Sequence, residues 1–183
     1  MRPKPKTKLC ELLNIKSCQF QIKQLQTEDM PKVIEICQKI FLGMGSIVDD
    51  PWQTEFFTDF QYSVKAVSFG RIIGCYLLCP SSLDFDKEDY TFYENTENYK
   101  SKKGLFGNVL ALKPKYHGRG FGKQLRNVPL AYPFDYIWGY HLKSLNNLDH
   151  WTRFGRRVIA ESNNCYMTLM DLGQPNILDP RTE

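Results

Sequence analysis

Between Phe20 and Gln26 the chain alternates apolar with polar residues (FQIKQLQ), the period-two pattern of a half-buried strand. The period then lengthens. In TEDMPKVIEICQKIF the apolar positions Met30, Val33, Ile34, Cys37 and Ile40/Phe41 recur at helical spacing. Thr27 is placed to cap that helix, Glu28 and Asp29 suit its positive end, and Pro31 is tolerated in its first turn. Next, GMGSIVDDPWQTEFFTDF combines glycines, an Asp-Asp-Pro stop and an aromatic cluster of Trp52, Phe56, Phe57 and Phe60. YSVKAVSFGRIIGCYLLCP reads as a hairpin turning near Gly70 and Arg71. A long connection follows, SSLDFDKEDYTFYENTENYKSKKG, acidic at first and basic at its end. A connection of this length is functional or hides a short element of its own. LFGNVLAL is an apolar strand that ends in glycines, FDYIWGYHL an aromatic and β-branched strand, and NNLDHWTRF a short helix with an Asn cap. RRVIAESNNCYMTLMDL is a hairpin on an Asn-Asn turn. The order β-α-(α)-β-β-β-α-β-α-β-β predicts an α/β (α+β) mixture with a mostly antiparallel sheet and one strand-glycine-helix unit.

That unit carries the chemistry. GNVLALKPKYHGRGFGKQLRNVP places Gly118, Gly120 and Gly122 at alternate positions between the apolar strand and the helix. Residues without side chains let backbone N–H groups come close to a ligand, and the first N–H groups of a helix are unpaired and partially positive. Arg119 and Lys123 add formal charge at the rim. The junction reads as a cradle for a pyrophosphate; the alternative is a glycine turn that only reverses the chain. The P-loop pattern fails because Gln124 follows Lys123. The dinucleotide pattern fails because the spacing is G-x-G-x-G, with no second parallel βαβ unit after it. Pro129 follows Gly122 by seven residues, so the helix ends or kinks there.

The strand end Leu110-Ala111-Leu112-Lys113-Pro114 and the loop His117-Gly118-Arg119-Gly120-Phe121-Gly122 resemble motif A of the GNAT superfamily, the acyl-CoA-dependent N-acyltransferases. IKQLQTEDMPKVIEICQKIF is similar to the first strand and helix of that family, VKAVSFGRIIGCYLL to its second and third strands, and HWTRFGRRVIAE to its C-terminal region. The resemblance covers residues 20–172. It implies a mixed, mostly antiparallel sheet of about six or seven strands, splayed between the fourth and fifth and flanked by about three or four helices. It divides the chain into a basic extension (1–18), a GNAT-like acyltransferase domain (19–172) and a tail (173–183). Acetyl-CoA is the implied co-substrate, with no metal. The main chain of Leu110, Ala111 and Leu112 pairs with the pantetheine arm. His117, Gly118, Arg119, Gly120, Phe121, Gly122 and Lys123 hold the diphosphate, with Asn147 as a further coenzyme contact. FDYIWGYHL becomes the splay partner.

At several family positions this chain carries other residues. His117 replaces the usual Gln or Arg and still donates a hydrogen bond. Trp151 stands where the family has a Tyr that protonates the leaving thiolate, Arg156 replaces a Phe, and Ser144 replaces an Asn. The strand before the loop holds no glutamate base, and Asn108 is its one interior polar side chain. Asp135, Tyr140 and His141 on FDYIWGYHL are the candidate catalytic helpers, although Tyr140 faces away from the other two by strand parity. Proximity of amine and thioester and a polarising backbone N–H supply the rest.

Composition narrows the setting. The 183 residues are 42% hydrophobic and 14% aromatic, enough for a full core in one domain with extensions. No apolar run reaches the roughly 18 residues that span a bilayer. MRPKPKTKLCELL lacks the apolar stretch of a signal peptide, so a cytoplasmic protein is expected. Cys10, Cys18, Cys37, Cys75, Cys79 and Cys165 form no C-x-x-C pair and read as buried thiols in a reducing compartment. The three histidines are scattered, without metal-ligand spacing. The formal charge is +4, and Arg2, Lys4, Lys6 and Lys8 supply part of it. DDPWQTEFFTDFQY and DFDKEDYTFYENTENY mix acids with aromatics, which suits a cationic amine on a small molecule or peptide. A nucleic-acid acceptor suits the basic tail instead and is less favoured. The other reading is a GNAT-like protein that binds acyl-CoA with little or no turnover. A monomer or homodimer is expected.

Overall fold

A computed structural model describes residues 20–41, 61–83 and 89–173. The aromatic cluster from Trp52 to Phe60, Cys10 and Cys18, the basic extension, residues 84–88 and most of the tail lie outside the described residues. The described strands are β1 (Gln21–Gln24), β2 (Val64–Ser68), β3 (Arg71–Pro80), β4 (Thr91–Phe92), β5 (Gly104–Leu112), β6 (Tyr136–Leu142), β7 (Arg157–Glu161) and β8 (Cys165–Asp171). The described α-helices are α1 (Met30–Phe41), α2 (Phe121–Asn127) and α3 (Leu148–Thr152). The strand order is β1-β2-β3-β5-β6-β8-β7-β4. Pairs β1–β2, β2–β3, β6–β8, β7–β8 and β4–β7 are antiparallel, and β5–β6 is parallel. The eighth strand, beyond the expected six or seven, is the two-residue β4 inside the long acidic-to-basic connection. No described helix is long and apolar enough to cross a membrane.

The chain divides into two compact units, Met1–Cys79 with Asn108–Ala131, and Pro80–Gly107 with Tyr132–Glu183. In the first unit, the period of α1 has its expected result. Met30, Val33, Ile36 and Cys37 are buried against Cys75, Leu77, Val109 and Ala111. The start of α1 departs from expectation. A 3-10 turn over Thr27–Asp29 precedes the helix, so Gln26 takes the cap position. The Asp29 carboxylate accepts the Gln26 N–H at 2.9 Å and also pairs with Lys65. The β2–β3 turn falls on Phe69 and Gly70, one residue earlier than expected. Both have positive φ, 48° and 71°, as a two-residue hairpin turn demands.

In the second unit Leu105, Tyr136, Ile137, Ile159, Ala160, Met167 and Leu169 are all fully buried. Arg157 ties the long connection to the sheet: its guanidinium reaches Glu94 (3.0 Å), Tyr99 Oη (2.6 Å) and Asp171 (2.9 Å). The helix after the glycines stops at Asn127, and a 3-10 turn over Val128–Ala131 takes up Pro129, as proline's missing N–H requires. Cys37 and Cys75 are buried and Cys79 and Cys165 half-buried, and none of these four described cysteines is in a disulfide.

Candidate functional site

The glycine junction lies wholly in the first unit. The end of β5 is held to β3 by the Lys113 N–H, which donates to Ile73 O at 2.9 Å. Gly74 lets the two strands approach, since a Cβ there would stand 2.5 Å from Ala111 O. A 3-10 turn, Pro114–Tyr116, leads to His117, whose Nε2–H donates back to Leu112 O at 2.7 Å. Gly118 and Gly120 then take φ of 73° and 78°, a region that favours glycine, and a Cβ on either would meet nothing within 4 Å. Gly122 is different. It is helical, and its Cβ would come only within 3.9 Å of Arg126. Gly120 is the residue before α2, and the first helical hydrogen bond runs from Gln124 N–H to Gly120 O at 3.2 Å. The N–H groups of Phe121, Gly122 and Lys123 thus belong to the first turn, where the helix itself provides no acceptor.

Aromatic rings seat this loop from below. Phe121 stacks on the buried Phe20 with centroids 4.0 Å apart, and Tyr116 lies 6.4 Å from Phe121. Lys115 and Arg119 lie over the Tyr116 ring. Burial, and next Lys32, push the Lys113 ammonium down from its ordinary value. Over residues 108–131 the chain has Lys113, Lys115, Arg119, Lys123 and Arg126 and no acidic residue. That one-signed stretch was readable in the sequence; only Arg119 and Lys123 were singled out from it.

Of the three predicted arm-binding residues, Leu110 is half-buried and Ala111 and Leu112 are buried. The partners of β5 on β6 are Gly104↔Tyr136, Leu105↔Ile137 and Phe106↔Trp138, and the pairing ends there.

The second unit contains the predicted helpers and does not bring all three together. Asp135 precedes β6. Its carboxylate accepts the Lys103 N–H at 2.7 Å and its own N–H donates to Lys103 O at 2.9 Å. Tyr140 lies five residues further, roughly 16 Å along a strand, so Asp135 is a fastening at the other end. Tyr140 and His141 take opposite faces, as parity requires. Tyr140 joins Tyr90, Phe106 and Trp138 in a chain of ring contacts with centroids 4.6 to 5.8 Å apart. His141 is buried with its ring 4.8 Å from that of Trp151. Burial first, and Arg156 second, lower its pKa to about 3, so the imidazole is neutral at physiological pH. His141 Nε2 and Asn147 Oδ1 are both buried with no hydrogen-bond partner among the described residues. Asn147 occupies the cap position of α3 without a side-chain cap bond.

Arg156, noticed in the sequence only as a replacement, is 5% exposed. Its Nη1 donates to Thr168 Oγ1 at 3.1 Å, and the guanidinium lies 4.9 Å over the Trp151 ring.

No protein-family model and no curated protein matches the chain. Solved structures do. A GNAT-family acetyltransferase from Streptococcus agalactiae is 11% identical with a TM-score of 0.61, over 83% of this chain and 95% of that one. Naa50 from Arabidopsis thaliana, in complex with the bisubstrate analogue CoA-Ac-MVNAL, is 11% identical with a TM-score of 0.59, over 84% and 99%. The PaiA N-acetyltransferase of Thermoplasma acidophilum, in complex with coenzyme A, is 15% identical with a TM-score of 0.54, over 83% and 98%. At these identities the likeness is one of architecture, and the chain has the GNAT fold.

Proposed function

We propose that this protein is an acyl-CoA-dependent N-acyltransferase that moves the acetyl group of acetyl-CoA onto a primary amine by direct attack. The observation that carries this reading is the loop from His117 to Lys123. Two left-handed glycines open on empty space at the unpaired end of a helix, within a stretch of five basic side chains and no acidic one. A diphosphate matches such a cradle in charge and in its need for N–H donors. Gly118 to Lys123 grip the diphosphate, His117 fastens the loop to the strand, and Leu110, Ala111 and Leu112 offer their main chain to the pantetheine arm. The acyltransferase domain is residues 19–172, working in the cytoplasm. Neighbours of the same fold bound to coenzyme A support this coenzyme, and the one bound to a bisubstrate analogue supports transfer to an amine.

In the reaction the amine nitrogen bonds to the acetyl carbonyl carbon and the bond from that carbon to sulfur breaks. The amine gives up a proton and the thiolate takes one. His141, with a pKa of about 3, is a weak base, and Asp135 is engaged with Lys103. The amine proton therefore passes to water, and the rate comes from proximity rather than from a dedicated base. Tyr140, half-exposed among its neighbouring rings, offers a π face to a cationic acceptor.

A second reading, acyl-CoA binding with little turnover, is supported by the sequence resemblance, which sets Trp151 where the family has its proton-donating Tyr, and by the neutral His141 beside that ring. Calorimetry with acetyl-CoA, followed by thiol release over a panel of small-molecule and peptide amines, decides. Saturable binding with amine-dependent thiol release supports the transferase. Binding without release supports the second reading, and the absence of binding overturns both.

A further inference from the structure

We propose that Cys37 and Cys75 are a peroxide-sensitive thiol pair that closes to a reversible disulfide between α1 and β3. The pair lies wholly in the first unit and does not rest on the acyl-CoA reading. Cys37 is on the buried face of α1, and Cys75 is in the middle of β3, where the residues from Ile73 to Leu78 are buried in succession. The two positions are 38 apart in sequence, yet their sulfurs are 3.8 Å from each other. A disulfide needs about 2.05 Å. The sulfurs therefore have to close by less than about 2 Å, which rotations about the two Cα–Cβ bonds and a small slide of the helix supply. The side chains of Val33, Ile36, Leu77 and Val109, packed in the same cluster, offer neither thiol a hydrogen bond.

The two cysteines are not equivalent. Cys37 is 7% exposed and Cys75 fully buried. The Cys75 S–H donates to the Cys37 sulfur, and this hydrogen bond brings the Cys37 thiol below its ordinary value. The same contact, and burial after it, push Cys75 up. Cys37 is thus the thiolate that meets the oxidant, and Cys75 the thiol that resolves it. The co-reactant is a hydroperoxide, small enough to reach a sulfur with this little exposure. In the first step the Cys37 sulfur attacks a peroxide oxygen; the S–O bond forms and the O–O bond breaks. The Cys37 proton, released when the thiolate forms, ends on the departing oxygen. In the second step the Cys75 sulfur attacks the Cys37 sulfur; the S–S bond forms, the S–O bond breaks, and the Cys75 proton leaves with the hydroxide as water. Across both steps the thiols lose two hydrogens and two electrons, and hydrogen peroxide is reduced to two waters. In a reducing compartment such a bond is transient, because a thiol reductant reverses it by exchange.

The test exposes the full, reduced chain to an excess of hydrogen peroxide, alkylates the remaining thiols and maps the cysteine peptides by mass spectrometry. The expected product is a linked Cys37–Cys75 peptide, at least about tenfold more abundant than any other cysteine pairing, which dithiothreitol returns to two thiols. In Cys75→Ala, Cys37 has no resolving thiol. It stops at sulfenic acid, captured by dimedone, and goes on to sulfinic acid with longer exposure. A wild type whose Cys37 and Cys75 stay reduced under peroxide overturns the proposal, as does a Cys37 joined mainly to another cysteine. So does oxidation of Cys37 to sulfinic acid at equal rates in wild type and Cys75→Ala. Where Cys75→Ala does not fold, the wild-type peptide map decides alone. No coenzyme is added, so the outcome is independent of whether acetyl-CoA binds.

Discussion

Gly120 and Gly122 stand two apart in one motif but answer to different physics. Gly120 sits at φ 78° with open space above it, so any side chain strains the backbone and enters the proposed cradle. Gly122 is helical and unobstructed. Gly120→Ala should cost about 1 kcal/mol of stability and weaken acetyl-CoA binding at least about tenfold. Gly122→Ala should gain about 0.5 kcal/mol from helix propensity, and any loss of affinity then reports steric exclusion of the ligand alone. Urea unfolding and calorimetry on both variants separate strain from exclusion; equal effects would contradict the assignment. His141 is a second residue whose surroundings decide its behaviour. Its folded pKa of about 3 lies below the ordinary 6.5, so the folded protein binds fewer protons than the unfolded chain between those values. Its contribution is therefore complete above pH 6.5 and is lost as pH falls toward 3, by at most about 1.4 kcal/mol per unit. Unfolding midpoints from pH 7.5 down to 5 (approximate limits of a practical window) should drop more steeply in the wild type than in His141→Gln.

At the level of elements, the sequence pattern located the pieces and missed how they are joined. The α1 face was legible because Met30, Val33 and Cys37 repeat at helical period. Its first turn was not, because Asp29 is recruited from outside the helix by Lys65 on β2, 36 positions away. Removing that carboxylate takes away the acceptor of the Gln26 N–H and strands a Lys65 ammonium whose side chain is only 16% exposed. Asp29→Ala is expected to destabilise by about 2 kcal/mol. Asp29→Asn, which keeps an acceptor for Gln26 but not the charge, should lose about half of that. Denaturant midpoints check both, and an Ala variant as stable as the wild type would remove the junction from the account. Strand β4 was invisible for a related reason. Two residues, Thr91 and Phe92, have no period to read, and only their pairing with Ala160 and Glu161 makes them a strand. Arg157, reaching Glu94, Tyr99 and Asp171, holds this segment, and its partners are again distant in sequence. Arg157→Ala should expose the Pro80 to Gly104 connection to earlier cleavage in limited proteolysis, with a stability loss of about 1 kcal/mol for a partly exposed network.

For the molecule as a whole, short-range periodicity gave the order of strands and helices and a mixed, mostly antiparallel sheet, and it took the resemblance of the glycine segment to motif A to turn that order into the GNAT fold. The candidate site was legible to the extent that it depends on backbone: Gly118 and Gly120 announce positive φ by residue type. In the second unit the burial of Arg156 was not legible, since Gly139 and Thr168 are brought to it only by sheet register. Charge distribution falls between these cases. A net +4 is unremarkable, yet Lys113, Lys115, Arg119, Lys123 and Arg126 fall within 24 residues, 108–131, that contain no acid. If that stretch receives the phosphates of acetyl-CoA, binding has a Coulombic component that salt screens. The screening length falls from about 10 Å at about 0.1 M to about 3 Å at about 1 M, and affinity should fall roughly tenfold across that range. A double substitution of Lys115→Gln and Arg119→Gln should weaken binding at low salt and flatten the dependence, while an uncharged osmolyte leaves both proteins unaffected. Calorimetry across a salt series reads this directly. A salt-independent affinity would mean that the diphosphate is held away from these side chains, and the cradle would have to be sought elsewhere in the chain.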